Sequence, residues 1–387
     1  MVDDAHKHYE AKRKPLDQRQ LAAALMSHTR YLASQGGVRA QLAHHNLDGL
    51  NLANRNLTEA DFTGCSLIGA NLSGSNLDRA SLYCADLRDA NLQSSRLTRA
   101  DLRGASFAGA RLAYAQLDNA DMRTATMMYM QWGGDVAVVG GERSKASGNP
   151  KGVDFSNCSL KNVSFGSAKL DDANFSGALL QGANFKGARL GKATFKGAVL
   201  TGVKDLTVPP GAIAGAVRDV TPEAAAKFDQ LKAQLESHQT WVMSAGANGV
   251  RAVLDGEDLR PLRQLFVSRT LTGLSARNAV AIGLDFSGSQ LQAAKFDGAD
   301  LRDANFSNAD LRGASFRGAN LAHACFDGAN LNRLKLNNGS EMKPDFSGAQ
   351  AAEVQFHRAT LGDQLAELGL SLPSLRDAGI VEPFFAP

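Results

Sequence analysis

Every fifth position from Leu42 to Met127 carries an apolar side chain, and this period restricts the possible folds more than any other feature of the chain. The positions are Leu42, Leu47, Leu52, Leu57, Phe62, Leu67, Leu72, Leu77, Leu82, Leu87, Leu92, Leu97, Leu102, Phe107, Leu112, Leu117, Met122 and Met127. An α-helix repeats about every 3.6 residues and a long β-strand about every 2, so a period of five fits neither. Each unit is therefore expected to be a short extended segment followed by a corner.

A small residue stands two positions before most of the large apolar ones, as Ala85 stands before Leu87. Strand alternation sends Ala85 and Leu87 to one side of the segment and Asp86 and Arg88 to the other. The remaining positions turn the chain, and glycine recurs there, for example at Gly104, because a corner favours a residue without a Cβ. Repetition predicts a coil that is apolar inside and polar outside, and stacked coils bury what no single repeat can bury.

The motif Ala-(Asp or Asn)-Leu-x-x recurs along this stretch. It reads Ala60-Asp61-Phe62, Ala70-Asn71-Leu72, Ala85-Asp86-Leu87, Ala90-Asn91-Leu92 and Ala100-Asp101-Leu102. The pattern resembles that of the pentapeptide repeat family. This resemblance implies a mainly β fold, a right-handed quadrilateral β-helix with four pentapeptides in each coil, but it implies no single function.

Interruptions of the period predict the domain organisation. We expect an N-terminal helical cap over 1–39 and a first pentapeptide-repeat solenoid over 40–204 with an insertion at 128–152. A linker and second helical cap follow over 205–253, then a second solenoid over 254–361 with a degenerate start at 254–284, and a C-terminal cap or tail over 362–387. The expected fold is thus two solenoids, each preceded by an α-helical cap.

The two caps are expected because the start of a solenoid exposes an apolar cross-section and unpaired strand edges. Residues 16–34 have a helical pattern, and Gly36-Gly37 ends it just before the repeats begin. The segment from Ser27 to Leu42 aligns with the segment from Ser237 to Leu254, so the junction of cap and solenoid occurs twice. His28 and His238 share one place in this alignment. We interpret both as hydrogen-bonded structural histidines, since no second ligand or nucleophile lies at a useful spacing.

The second solenoid has its strongest run of inward positions from Phe286 to Leu336. The same phase returns at Phe346, Phe356 and Leu361, whereas the intermediate positions 341 and 351 break it. We therefore expect a bulge or loop near 337–344.

Net charge, hydropathy and cysteine spacing predict the location of the protein and the role of its thiols. The net charge of +3 is nearly balanced over 387 residues, and the chain has neither a long apolar run nor a Sec-type signal, so we expect a cytoplasmic protein without a membrane span. Cys65 and Cys158 occupy the small inward position, and Cys84 and Cys325 occupy outward positions. Their spacing is not that of paired metal ligands, so we expect structural thiols.

Catalytic motifs are missing from the sequence. It contains no Ser/His/Asp set, no glycine-rich phosphate loop, no paired carboxylates in a recognisable cleft and no His-Cys cluster. A filled β-helix also leaves no interior cavity for a substrate. We therefore predict that the protein is not an enzyme and expect no catalytic, cofactor-binding or metal-binding residues.

Candidate partner-binding residues lie in the insertion and at the C-terminus. The insertion carries Tyr129, Trp132, Arg143 and Lys145. It either protrudes and binds a partner, as loops on rigid scaffolds often do, or folds its apolar residues over the exposed coil edge. The aromatic pair Phe384-Phe385 must be tucked away or offered to a partner, and a homodimer is one such possibility.

Two groups of basic residues are further candidates. With four units per coil, positions four units apart lie above one another, which places Arg79 over Arg99 beside Arg96. Because Glu59, Asp78 and Asp118 share this face, one interpretation is a charge-balanced solvated face, and the other is an anion or acidic-partner site.

The second basic group comprises Lys169, Arg189 and Lys192, within a segment, 151–204, that has eight basic and three acidic residues. If either group binds a polyanion, the affinity must fall steeply with salt.

Three functions fit these observations. The first is a protein-protein interaction scaffold or adaptor whose partners are unknown. The second is suggested by the resemblance, because its quinolone-resistance branch mimics DNA and occupies DNA gyrase. Such mimicry needs an acidic surface, whereas nine acidic residues face eight arginines between Leu47 and Met127. The third, an adaptor of a bacterial secretion system or other large assembly, rests on family analogy alone. We expect a scaffold that does not bind nucleic acid directly.

Overall fold

The structure, a computed structural model, describes residues 13–125, 127–130, 136–139 and 152–360, and for 127–130 and 136–139 it describes the backbone alone. The chain divides into two compact units, Met1–Asp219 and Val220–Pro387. Each unit has its own apolar core.

Parallel backbone pairing between positions four pentapeptides apart builds the first unit. Gln41 pairs with Asp61, and Asp61 pairs with Ser81. The Leu42 N–H donates to the Asp61 carbonyl oxygen at 2.8 Å, and the Asp61 N–H donates to the Ala40 carbonyl oxygen at 2.9 Å. One coil therefore contains four pentapeptides, and the unit is a β-helix solenoid whose coils stack through backbone hydrogen bonds.

The inside of each coil is filled as the five-residue period predicts. The large inward side chains from Leu47 to Leu97 are fully buried, and the small ones before them are buried with them. Corners adopt positive φ angles, such as 64° at Gly64, and many corners are not glycine, as at Arg79 (φ 58°) and Asp89 (φ 57°). The corner therefore tolerates polar side chains, which project from the solenoid.

A helix and a short strand cover the start of the first unit. Helix α1, Gln18–Leu32, begins with a capping box between Asp17 and Gln20, and buries Leu21, Leu25 and His28. Strand β1, Lys14–Pro15, pairs in parallel with strand β2, His45–Asn46. The Gln18 side-chain amide exchanges two hydrogen bonds of 3.1 Å with the Asn51 backbone. These contacts satisfy strand-edge groups of the first coil that would otherwise be unpaired.

The insertion leaves one coil, and the parallel ladder continues beyond it from Arg111, Gln116 and Asp121. Arg111 pairs with Asp154 across the insertion, and the regular spacing of four pentapeptides resumes with Asp154 and Asn174. Strand β3, Met127–Met130, and strand β4, Val136–Val139, form an antiparallel hairpin. Tyr129 lies in β3, where only its backbone is described; Trp132, Arg143 and Lys145 lie outside the described residues.

The ladder of the first unit runs beyond the expected end at 204. Val199 pairs with Val217, and the short 3-10 helix Pro210–Ile213 lies between them in the chain. The last coil departs from the five-residue period, which is why the sequence pattern stops earlier than the backbone pairing.

The second unit begins with helices α2, Pro222–Ala226, and α3, Phe228–Met243. Its first coil is longer than a regular coil by two positions, since Val253 pairs with Ser275, and the 3-10 helix Arg260–Leu262 accounts for the extra length. Phe266 is fully buried in this coil and keeps the five-residue phase of the later repeats, whereas the buried Leu254 and Leu259, before the 3-10 helix, lie two positions out of that phase.

A second hairpin interrupts the second unit, formed by strands β5, Leu334–Lys335, and β6, Glu341–Met342. Across it Ser315 pairs with Asp345, so the spacing is six pentapeptides instead of four. The prediction that Leu336 points inward is wrong: Leu336 is 36% exposed, and the Phe346 ring stacks on Phe316 at a centroid distance of 4.9 Å. The added length is two pentapeptides, so the sequence phase is kept although the chain leaves the coil.

Candidate interaction surface

Two of the four cysteines, Cys65 and Cys158, are buried with their thiols hydrogen-bonded to the backbone. The thiols of Cys65 and Cys158 donate to the carbonyl oxygens of Leu42 and Leu112, each at 2.7 Å. Burial raises the pKa of Cys65 to about 12, which suppresses the thiolate form that nucleophilic chemistry requires.

Cys84, expected at an outward position, is fully buried, and this corrects the sequence interpretation. It occupies a corner with φ 54°, and its Sγ lies against Gly104, the corner of the next coil. A glycine at the corner above leaves room for the sulfur, so an outward position can still be buried between coils.

The two aligned histidines are equivalent in the structure. His28 Nδ1 accepts the Ala40 N–H at 3.2 Å, and His238 Nδ1 accepts the Ala252 N–H at 3.1 Å. Both rings are fully buried, and burial lowers the pKa of each histidine below its ordinary value. A neutral imidazole that accepts a backbone N–H in this way joins the helix to the first coil, as expected for a hydrogen-bonded structural histidine.

Within residues 13–125 and 152–360, no three His, Cys, Asp or Glu side chains lie close enough together to hold a metal ion. Among the helices described there, none combines the length and the apolar character needed to cross a bilayer.

Arg79 and Arg99 border a surface cleft on one face of the first unit, as the spacing of four pentapeptides predicts. The cleft is lined by Thr58, Asn76, Asp78, Arg79, Thr98 and Arg99, and we call it the Arg79–Arg99 cleft. Both arginines are exposed corner residues with positive φ, 58° at Arg79 and 60° at Arg99. Successive coils lie about 4.8 Å apart, so the two corners are immediate neighbours.

The acidic residues of this face are engaged unequally. The carboxylate of Glu59 lies 3.6 Å from the Arg79 guanidinium. Asp78 accepts from the Arg96 guanidinium at 2.6 Å and from the Thr98 N–H at 3.0 Å. Arg96 is thus paired with Asp78 and is not one of the residues that line the cleft.

Asp118, the next acid along the face, does not reach Arg99. One of its oxygens accepts from Ser159 Oγ at 2.5 Å and from the Lys161 N–H at 3.0 Å, and the other lies 3.3 Å from Lys161 Nζ. These contacts direct the carboxylate towards the next coil. Among the described residues Arg99 has no ion-pair partner, so the face is not fully charge-balanced.

The second basic group lies elsewhere on the first unit. Lys169 and Arg189 pair across adjacent coils, and Arg189 is bound to Asp171 at 2.8 Å. Lys192 is an exposed corner residue with φ 61°. In the backbone ladder Arg96 pairs with Gln116, which pairs with Ser159, and Asp121 pairs with Ser164 in the next row. Lys169 follows Ser164 by one pentapeptide, so it lies two corners away from Arg96 around the coil. The structure does not bring the two groups together.

Thr58, Asn76 and Thr98 are the cleft residues that sequence reasoning missed. Their polar side chains carry no motif, and only the spacing of four pentapeptides places them beside the arginines. Phe384 and Phe385 lie outside the described residues.

Comparison with known proteins identifies related chains. The family model for pentapeptide repeats matches in eight copies, over residues 46–82, 85–123, 151–187, 178–204 and 294–333. A pentapeptide repeat protein from Nostoc PCC 7120 is 34% identical over 26% of this chain and 78% of its own, with a TM-score of 0.16.

Two further solved structures are more distant. QnrB1, a plasmid-mediated fluoroquinolone resistance protein, is 23% identical over 50% of this chain and 96% of its own, with a TM-score of 0.22. A pentapeptide repeat protein from the thylakoid lumen of Arabidopsis thaliana is 17% identical over 49% of this chain and 75% of its own, with a TM-score of 0.21. No curated protein matches the chain.

Proposed function

This chain belongs to the pentapeptide repeat family, and from that premise we propose that it is a non-enzymatic scaffold or adaptor that binds other proteins through the outer faces of two capped solenoids. The observation that carries the proposal is the filled interior of both units. Leu72 and Leu92 in the first unit and Phe296 and Phe306 in the second are fully buried. A partner therefore meets the outer surface of the coils and the segments that leave them.

The caps are part of this proposal. Leu21 and Leu25 of α1 belong to the core of the first unit, and Leu231 and Leu235 of α3 belong to the core of the second. A helix that packs over the first coil shields its apolar cross-section, which supports a capping role for α1 and α3. A solenoid start that is covered by a helix is closed to end-to-end stacking at that end.

Two surfaces are proposed for partner contact. The insertion over 128–152 leaves the coil as a hairpin, and protruding loops on rigid scaffolds often bind partners. The Arg79–Arg99 cleft adds a cationic site on a regular face. We retain Tyr129, Trp132, Arg143, Lys145, Lys169, Arg189, Lys192, Phe384 and Phe385 as further candidates for mutagenesis.

Affinity purification of the tagged full chain from its native cells, with mass spectrometry, tests the scaffold proposal. The matched variant lacks 129–151, which leaves Arg111 and Asp154 four pentapeptides apart, as in a regular coil, and keeps the ladder in phase. A control lacks 334–343, which forms most of the other hairpin. We expect a stoichiometric protein partner that is lost with 129–151 and kept with the control.

Other outcomes of this purification contradict the proposal. Recovery of gyrase subunits as the main partner would favour topoisomerase modulation over a general scaffold. Recovery of the tagged chain alone, in all three forms, would remove the support for a scaffold function.

A further inference from the structure

We propose that the Arg79–Arg99 cleft binds a carboxylate side chain from an acidic segment of a protein partner. This inference rests on the scaffold function proposed above and names the chemistry of the partner. Its basis is an arginine pair whose surrounding acids are already used by other groups.

Two of the three acids near the cleft are held by other groups. Asp78 is held by the Arg96 guanidinium at 2.6 Å and by the Thr98 N–H at 3.0 Å. Asp118 is held by Ser159 and Lys161. Neither acid is left to neutralise a second arginine, so only Glu59 faces the pair.

The two arginines of the cleft are exposed and at most loosely paired. Arg79 is only loosely paired, at 3.6 Å from Glu59, and its side chain is 61% exposed. Arg99 is exposed and lacks an ion-pair partner anywhere in the described parts of the chain. Two guanidinium groups on corners about 4.8 Å apart repel each other, and an anion placed between them removes that repulsion.

A single carboxylate is the anion that fits the geometry and the charge of the cleft. A guanidinium presents N–H donors in a planar fork that matches the two oxygens of a carboxylate. Arg79 pairs with Glu59 and Arg96 pairs with Asp78, which leaves the positive charge of Arg99 uncompensated. A single carboxylate balances it, whereas a DNA duplex carries one charge about every 1.7 Å and would be repelled by the flanking acids.

The rigidity of the site favours specific binding. Each corner is fixed by a backbone hydrogen bond to the next coil, from Arg79 N–H to the Thr98 carbonyl oxygen and from Arg99 N–H to the Asp118 carbonyl oxygen, both at 3.0 Å. A ligand therefore orders only the two side chains and not the backbone, which limits the entropic cost of binding.

NMR titration of the full chain, observed at the arginine Nε–H groups, tests the proposal. The probe is an acetylated, amidated tetraglutamate peptide, and inorganic phosphate and a short DNA duplex are the comparison ligands. We expect saturable shifts at Arg79 and Arg99 with the peptide, at a lower dissociation constant than with phosphate or DNA. Because few charges are neutralised, the peptide affinity should depend only weakly on salt.

Three variants test whether Arg99 binds the peptide and whether Glu59 competes with it. Arg99→Gln should weaken peptide binding by about tenfold or more, since a hydrogen-bonded charge pair is lost. Glu59→Gln should strengthen it several-fold, because the competing carboxylate is removed. Arg358→Gln is the matched control: Arg358 is an exposed corner residue with φ 58°, outside the cleft and without an ion pair among the described residues, and its loss should leave binding unchanged.

Either of two results would overturn the proposal. One is unchanged peptide affinity in Arg99→Gln; the other is tighter binding of phosphate or of the DNA duplex than of the peptide. The affinity purification separates this inference from the scaffold function: a partner that survives Arg99→Gln leaves the scaffold intact and rejects the cleft as its contact. Peptide binding at the cleft without any cellular partner would instead reject the scaffold.

Discussion

At the scale of single residues, two equivalent glycines leave no room for a side chain where helices α1 and α3 meet the first coils of their units. A Cβ on Gly37 would overlap the Ser27 carbonyl oxygen, and a Cβ on Gly249 would overlap that of Ser237. Both residues also have positive φ, 101° and 78°. The junction therefore needs glycine for space as well as for backbone conformation.

We expect Gly37→Ala to lower the free energy of unfolding by roughly 3 kcal/mol, from backbone strain and steric overlap together. Gly36→Ala is the matched control, because Gly36 has φ 78° but open space around the added Cβ, and it should cost about 1 kcal/mol. Urea denaturation followed by circular dichroism measures both. Equal losses in the two variants would show that overlap with Ser27 is not the cause.

The buried histidines make stability depend on pH. In the folded protein burial lowers the pKa of His28, with Arg39 acting in the same direction and the Thr58 carbonyl and Glu59 acting against it. Burial likewise lowers the pKa of His238. Below about pH 6.5 the unfolded chain binds protons that the folded chain does not, so the free energy of unfolding falls as pH falls.

We expect that fall to be at most about 1.4 kcal/mol per pH unit for each histidine, in urea denaturation between pH 7.5 and 5.5. The double variant His28→Gln and His238→Gln should reduce the slope in this window, and His44, whose pKa burial also lowers, should keep part of it. His357→Gln, at an exposed position, should leave it unchanged. A double variant with the slope of the unmodified chain would contradict the assignment.

Single residues were predictable where the period fixes their place. The stacking of Arg79 over Arg99 and the equivalence of His28 and His238 follow from spacing alone. The burial of Cys84 was not predictable, because it depends on the glycine one coil above. The charge imbalance at Arg99 also depends on the direction in which Asp118 points, which the sequence does not contain.

At the scale of elements, the hairpin of β5 and β6 is an insertion of two repeat lengths. Ser315 pairs with Asp345 across it, and the neighbouring pairs on either side, Asp310 with Asn330 and Asn320 with Gln350, show that no coil is lost. The residues between them can therefore be removed in a multiple of five without moving any inward side chain.

Deletion of 334–343, two repeat lengths, should give a folded chain in which Ser315 still pairs with Asp345, now at the regular spacing of four pentapeptides. We expect the melting temperature to stay within a few degrees. Deletion of 334–342, which is one position shorter, should unfold the coils that follow, because a shift of one position turns inward side chains outward. Circular dichroism melting compares the two; equal stability would mean that the ladder does not set the register here.

Irregular coils were harder to predict from the sequence than regular ones. Regular coils were predicted because each obeys the period on its own. The first coil of the second unit was obscured by the 3-10 helix Arg260–Leu262, which lengthens the coil by two positions and leaves Leu254 and Leu259 out of phase with the later repeats. Leu336 was placed inward because a hairpin of two repeat lengths leaves the period unchanged.

At the scale of the whole molecule, the two units have separate cores. The core of the first runs from Leu21 to Leu200, and that of the second from Leu231 to Phe356. Each begins with a helix that contributes buried leucines to its own unit. Such repeat units depend on nearest neighbours for stability, so each unit is expected to fold by itself.

Expression of 1–219 and 220–387 as separate chains tests this expectation. Each should give a cooperative melting transition, and together the two should reproduce the calorimetric trace of the full chain. An unfolded half, or a full-chain transition more than about 10 °C above both halves, would show that the units stabilise each other.

The parallel ladder of the first unit also has a mechanical consequence. Its hydrogen bonds connect one coil to the next, so a pull along the stacking direction loads them in series, and the weakest coil yields while its neighbours hold. Each regular coil that peels away releases four pentapeptides, or about 70 Å of extended chain. Under tension such coils would lengthen the solenoid in equal steps, and the coil that holds the insertion, from Arg111 to Asp154, would give a longer step.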